Sequence, residues 1–232
     1  MTFSDRAKAG QRLARQPGVE VEIPAGTARL GGQLTVPEGA EAVVVFAHGS
    51  GSSRHSPRNR YVSDMLTDAG LATLLFDLLT SAEEDERANV FDIDLLGRRL
   101  VEVTGWLRGE LGTFCPAVGY FGASTGAAAA LWAAAELGSV IGAVVSRGGR
   151  PDLAASRLPR VAAPALLIVG GDDEAVLELN NRAAQLLRHE AEVVVVPGAT
   201  HLFEEPGALE SVAALARDWF TRHLTPVGAR RH

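Results

Sequence analysis

The sequence predicts an α/β fold, with a mostly parallel central sheet of about eight strands, helices on both faces and no large cap domain. Three observations lead there. Several short runs are apolar throughout, beginning with Ala42-Val43-Val44-Val45-Phe46-Ala47, as strands covered on both faces must be. Segments with apolar residues at 3.6-residue spacing lie between them, and strands alternating with helices imply right-handed crossovers and parallel pairing. At 232 residues and 47% hydrophobic, the chain is long enough to bury one large core.

Residues 1–18 read as a mobile, basic lead-in ending at Pro17-Gly18, residues 19–225 as a single domain, and residues 226–232 as a tail. Val19-Glu20-Val21-Glu22-Ile23 alternates apolar and charged, and a second strand over 28–36 follows the turn at Gly26, so the pair predicts an antiparallel hairpin at a sheet edge. Further apolar runs at 42–47, 72–76, 116–121, 140–145, 165–169 and 193–196 are the buried strands. Ile93, Leu96, Leu100, Val103 and Leu107 mark one amphipathic helix, and Val212, Ala213, Ala216, Trp219 and Phe220 another. The alanines of 127–135 predict a helix lying close under the sheet. The acidic stretch 81–89, SAEEDERAN, reads as a solvated polar loop at the C-terminal end of a strand, with a substrate-gating role as the alternative.

A net charge of −6 argues against a nucleic-acid or anionic-membrane surface, since either favours a basic face. The N-terminus lacks the apolar core of a signal peptide, and no apolar run is long enough to span a bilayer, so a cytoplasmic protein is expected. Cys115 is the only cysteine, which excludes an intramolecular disulfide. With no Cys/His cluster and no phosphate loop, no metal or organic cofactor is expected.

Ligands of open α/β sheets bind beyond the carboxyl ends of the strands, so the polar residues there carry the functional information. Gly122-Ala123-Ser124-Thr125-Gly126 fits the G-x-S-x-G nucleophile elbow, and it stands between an apolar strand and an alanine-rich helix, as that motif requires. A serine hydroxyl needs an imidazole base, and the imidazole needs a carboxylate to fix its tautomer. Asp173 and His201 follow Ser124 in the chain order that the elbow motif predicts, each at a strand end. Asp172 is the alternative acid; Asp173 is preferred because it lies two residues past the glycine of the strand-Gly-x-Asp turn, here Gly171. The rival base is His48, whose place before Gly49 better suits a structural hydrogen bond. His55 lies in a loop, His189 at a helix end and His223 in the last helix, and with the terminal His232 these read as surface residues.

The oxyanion donors would be the backbone N–H groups of Thr125 and Ser50, with Gly51 as the alternative to Ser50. Arg54, Arg58, Arg147 and Arg150 fall in loops near the site, where a guanidinium holds a substrate carboxylate or simply pairs with the many acidic residues. Substrate contacts are expected from His48, Gly51, Arg54 and Arg147.

With HGSGSSRHSPRN at 48–59, GASTG at 122–126, LLIVGGDD at 166–173 and PGATHLFEEPG at 197–207, the chain resembles the α/β-hydrolase fold over about residues 20–224. Within that fold it is similar to the dienelactone hydrolase-like group of small, lidless enzymes. The dienelactone hydrolases proper carry cysteine as nucleophile where this chain has Ser124. The resemblance therefore implies a hydrolase of small carboxylic esters, lactones included, acting on a small-molecule substrate through an acyl-enzyme. An acyltransferase or peptidase using the same triad, or a non-catalytic binding protein on this fold, are the alternatives.

Overall fold

The computed structural model describes residues 18–111 and 117–224. The expectations for the lead-in (except Gly18), for Cys115, for His232 and for the tail from 226 lie outside them. Eight strands form one sheet: β1 (Val19–Ala25), β2 (Ala28–Thr35), β3 (Ala42–Ala47), β4 (Ala72–Phe76), β5 (Ala117–Ala123), β6 (Ile141–Arg147), β7 (Ala165–Gly170) and β8 (Ala191–Val196). Their order across the sheet is β1-β2-β4-β3-β5-β6-β7-β8. The edge hairpin β1-β2 is antiparallel, β2 runs antiparallel to β4, and every pairing from β4 to β8 is parallel.

Helices α1 (Pro57–Asp68), α4 (Ile93–Glu110), α5 (Thr125–Leu137), α6 (Glu174–Leu186) and α7 (Ala208–Leu224) cover the sheet, with two short helices, α2 (Ser81–Glu84) and α3 (Arg87–Val90), after β4. Strands β3 to β7 are buried on both sides, and their alternate residues feed two separate cores; β8, at the edge, is only partly buried, with Val195 exposed. Val43, Val45, Tyr120 and Val144 pack with α4 and α5, whereas Val44, Phe46, Phe121, Val145 and Ile168 pack with α1 and α7. Helix α5 is apolar on all sides because it is enclosed on all sides: its residues from Thr125 to Ala135 are buried between the sheet, α4 and the turns that follow β6. None of these helices is long and apolar enough to cross a membrane.

Three expectations need correction. The stretch 81–89 is not an open loop. Thr80 caps α2 in a reciprocal capping box with Glu83, and Arg99 of α4 reaches Glu83 at 2.6 Å, which fixes this segment against the body. Arg58 and Arg147 are not loop residues, since Arg58 lies in the first turn of α1 and β6 extends two residues beyond Val145 to include Arg147. His223 is not a surface residue; its side chain is only 13% exposed and its ring lies 4.4 Å from that of Trp219.

Candidate active site

The turn between β5 and α5 holds Ser124 at φ 51°, ψ −120°, one of two non-glycine residues with positive φ among those described. Such a conformation costs on the order of 1–3 kcal/mol and persists only where the surroundings impose it. Here they do: Ser124 N–H donates to Arg147 O at 3.2 Å, and Ser124 O accepts from Ala127 N at 3.1 Å and Arg150 N at 3.1 Å. Both motif glycines are required by contact. A Cβ at Gly126 would stand 2.2 Å from Ala47 O, and one at Gly122 would stand 2.4 Å from Ala127 Cα. The turn therefore lies hard against the end of β3, with the serine half-exposed at the carboxyl edge of the sheet.

His201 and Asp173 come from the loops after β8 and β7. Their side chains meet at 2.7 Å between Nδ1 and Oδ2. Because a carboxylate only accepts, Nδ1 carries the proton and Nε2 is left as a free acceptor. Asp173 occupies the N-cap position of α6 yet makes no capping hydrogen bond, since its carboxylate is turned to His201. Asp172 is exposed, so of the two adjacent acids it is Asp173 that the fold brings to the imidazole. The His201 ring passes over the β6 end, where a Cβ at Gly148 would lie 3.5 Å from Cε1. Among the described residues no hydrogen bond joins Ser124 Oγ to the imidazole. Such contacts commonly tighten only when substrate arrives.

His48 is buried and structural. Its Nε2 accepts from Leu78 N at 3.0 Å, which leaves Nδ1 to donate to Gly49 O at 3.0 Å, so both nitrogens are engaged in tying the β3 loop to the β4 loop. That loop runs directly over the elbow: a Cβ at Gly49 would be 3.1 Å from both Ala123 O and Ser124 Cβ. Thr125 heads α5, where a backbone N–H has no intrahelical acceptor. The N–H of Ser50 is not free, because it donates to Thr125 Oγ1 at 2.9 Å. The expectation that Ser50 presents an open donor is corrected to that extent. Gly51 adopts φ 68° with nothing near its Cβ position.

The four arginines separate clearly. Arg54 is committed to Asp77, through both its N–H and its guanidinium, and to Glu20 at 3.7 Å, so it braces the loop instead of facing a substrate as expected. Arg58 pairs with Glu204 at 3.0 Å and Arg150 with Asp152 in a two-pronged contact, which raises the Arg150 pKa. Among the described residues Arg147 has no acidic partner. It is 7% exposed, and burial, with the nearby Arg58 charge, pushes its pKa down to about 10.

A recess opens beside Ser50 and Thr125, lined by Leu78, Leu79, Val90 and Leu96 with Glu84 as its one charged residue. This wall is not apparent from 81–89, which is largely exposed, because Leu78, Leu79 and Val90 lie just outside that stretch. The signal was present in Thr80-Ser81-Ala82-Glu83, a capping-box pattern that follows two leucines. Among the described residues no group of three His, Cys, Asp or Glu is arranged to hold a metal ion.

Comparison with known proteins agrees with this architecture. The chain is 54% identical to a dienelactone hydrolase from Anabaena variabilis whose crystal structure superposes with a TM-score of 0.89, covering 91% of this chain and 100% of that one. Est1E from Butyrivibrio proteoclasticus, at 16% identity and a TM-score of 0.74 over 88% of this chain and 98% of that one, shares the fold. Two proteins from Mycobacterium tuberculosis strains, each named a putative phosphoribosyl transferase, are 63% identical over 209 residues. That match takes in 90% of this chain but 47% of theirs, so the chain spans about half the length of these curated relatives. The model of the dienelactone hydrolase family matches residues 30–225. The chain has the α/β-hydrolase fold and belongs to the dienelactone hydrolase family.

Proposed function

We propose that this hydrolase cleaves small carboxylic esters through an acyl-enzyme on Ser124. The observation that carries the reading is the pair His201–Asp173, 2.7 Å apart, at the same sheet edge as a serine held at φ 51°. Ser124 Oγ attacks the ester carbonyl while His201 Nε2 takes its proton. Asp173 keeps Nδ1 protonated and steadies the imidazolium that forms. The proton then passes to the leaving alcohol, and a water activated by the same nitrogen releases the acid.

The tetrahedral oxyanion is received by Thr125 N–H and Ser50 N–H. Since Ser50 N–H is bonded to Thr125 Oγ1, the substrate oxygen takes the place of that hydroxyl, and one hydrogen bond is exchanged for a stronger, charged one. The small recess lined by Leu78, Leu79, Val90 and Leu96 lies beside these donors. The name of the mycobacterial relatives applies to proteins about half of whose length is matched, and the ester reading concerns the matched half.

The test is hydrolysis of nitrophenyl esters of increasing acyl length by the wild type and by Ser124→Ala. Turnover by the wild type alone, falling off beyond short acyl chains, is expected. Equal rates for the two proteins would remove the proposal.

A further inference from the structure

The segment that ends β6 and turns away from it, residues 147–150, meets both Ser124 and His201. Arg147 O accepts from Ser124 N–H, Arg150 N–H donates back to Ser124 O at 3.1 Å, and a Cβ at Gly148 would lie 3.5 Å from the His201 ring. Gly149 stands in the middle of this turn. It is crowded on one side, since a Cβ there would be 1.9 Å from Ser146 Oγ and 2.7 Å from Ala127 Cβ. Its carbonyl is held by Asn180, whose Nδ2 donates to Gly149 O at 2.9 Å. The same nitrogen donates to Val176 O, one turn back in α6, at 2.8 Å, so both of its hydrogens are committed.

Asn180 is fully buried, and its Oδ1 has no partner among the described residues. A leucine of similar size would fill the place without burying an unmet acceptor, so stability alone does not account for an amide here. The helix that carries Asn180 also begins at the candidate acid. Asp173 is the N-cap of α6, and Asn180 follows it by about two turns, which returns it to the same side of the helix. One helix thus holds the carboxylate at its start and the 147–150 turn further along. We infer that Asn180 is a positioning residue: through Gly149 O it fixes the 147–150 turn, and with it the Ser124 backbone and the seat of the His201 ring, in register with Asp173. The inference rests on Ser124, His201 and Asp173 acting together as proposed above, and it adds a residue that acts on them through the backbone.

The test takes Asn180→Leu and the smaller Asn180→Ala, with Ala183→Gly, at another buried position of α6, as the control for lost stability. Each is assayed on a neutral nitrophenyl ester at a temperature where circular dichroism shows it folded. Both Asn180 variants should lose about 10–100-fold in kcat with KM within about twofold, as a small misplacement of reacting groups does, and their labelling by a serine-directed organophosphonate should slow by a similar factor. Ala183→Gly should lose stability but not kcat. With the wild type alone, so that folding of a variant is not at issue, the side-chain amide resonances of Asn180 should shift when Ser124 is phosphonylated, and those of the exposed Asn181 should not. Folded Asn180 variants that match the wild type in kcat and labelling rate, or lose no more than Ala183→Gly, overturn the inference while leaving the esterase intact, as do Asn180 resonances indifferent to the adduct. Wild-type turnover no faster than that of Ser124→Ala would instead remove the reading on which it rests.

Discussion

His201 Nδ1 stands 2.7 Å from Asp173 Oδ2, and Asp173 begins α6 without capping it. An N-cap aspartate that leaves its helix uncapped forgoes about 1 kcal/mol, so its orientation toward the imidazole is held against a local preference. Asp173→Asn keeps the shape but offers an amide that can donate to Nδ1 and so favours the wrong tautomer. Its kcat on a neutral ester should fall by on the order of 10³–10⁴ with KM little changed. Asp172→Asn, at an exposed side chain, should stay within about twofold. Steady-state kinetics of both variants provide the check, and equal losses would contradict the assignment of the acid.

The backbone of Ser124 makes a prediction about stability. At φ 51°, ψ −120° any residue with a Cβ is strained, whereas glycine is not. Ser124→Gly should therefore be more stable than Ser124→Ala by about 1 kcal/mol in urea unfolding. A less stable glycine variant would show that the turn is relaxed.

Gly126 has the opposite character. A Cβ there meets two backbone oxygens, Ala47 O at 2.2 Å and His48 O at 2.4 Å, and neither can move without shifting β3. Gly126→Ala should cost about 3 kcal/mol or more. Gly105, exposed in α4 with nothing within 4 Å of its Cβ position, is the contrast, and Gly105→Ala should stabilise by about 1 kcal/mol. Thermal or urea unfolding of the two variants distinguishes the sites.

Glu83 links the site wall to acid stability. Burial pushes its carboxyl up, but the Thr80 N–H and the Arg99 guanidinium outweigh that, and its pKa lies below the ordinary 4.5. The unfolded chain then binds more protons than the folded one in this range, so stability rises with pH. The contribution is complete above about pH 4.5 and disappears as the pH falls through the lower folded value. The stability difference between wild type and Glu83→Gln should be constant from neutral pH down to about 5 and shrink below it. A difference that stays constant through this acid range would contradict the ion pair.

Much of the fold was legible because the burial pattern is written in composition. Val43, Val44 and Val45 are apolar on successive residues, which only a strand covered on both faces requires, and the alternation in 19–23 marked the edge hairpin. Ser124, Asp173 and His201 could be placed because strand ends are where short polar runs interrupt apolar ones. The wall at Leu78, Leu79 and Val90 was not legible in that way, since its shape depends on Arg99 pinning Glu83 from a helix sixteen residues further on. Nor could the chain show which arginines are paired. Arg54 and Arg147 look alike in sequence, yet one meets Asp77 across a loop and the other lies buried beside Phe203.

The central claim is that Ser124 is a nucleophile made reactive by the His201–Asp173 pair, and the direct measurement is intact-protein mass after treatment with a serine-directed organophosphonate. The wild type should gain the mass of one phosphonyl group, Asp173→Asn should gain it far more slowly, and Ser124→Ala should gain none. A wild type that takes up no phosphonyl group, or a Ser124→Ala variant labelled at the wild-type rate, would contradict it.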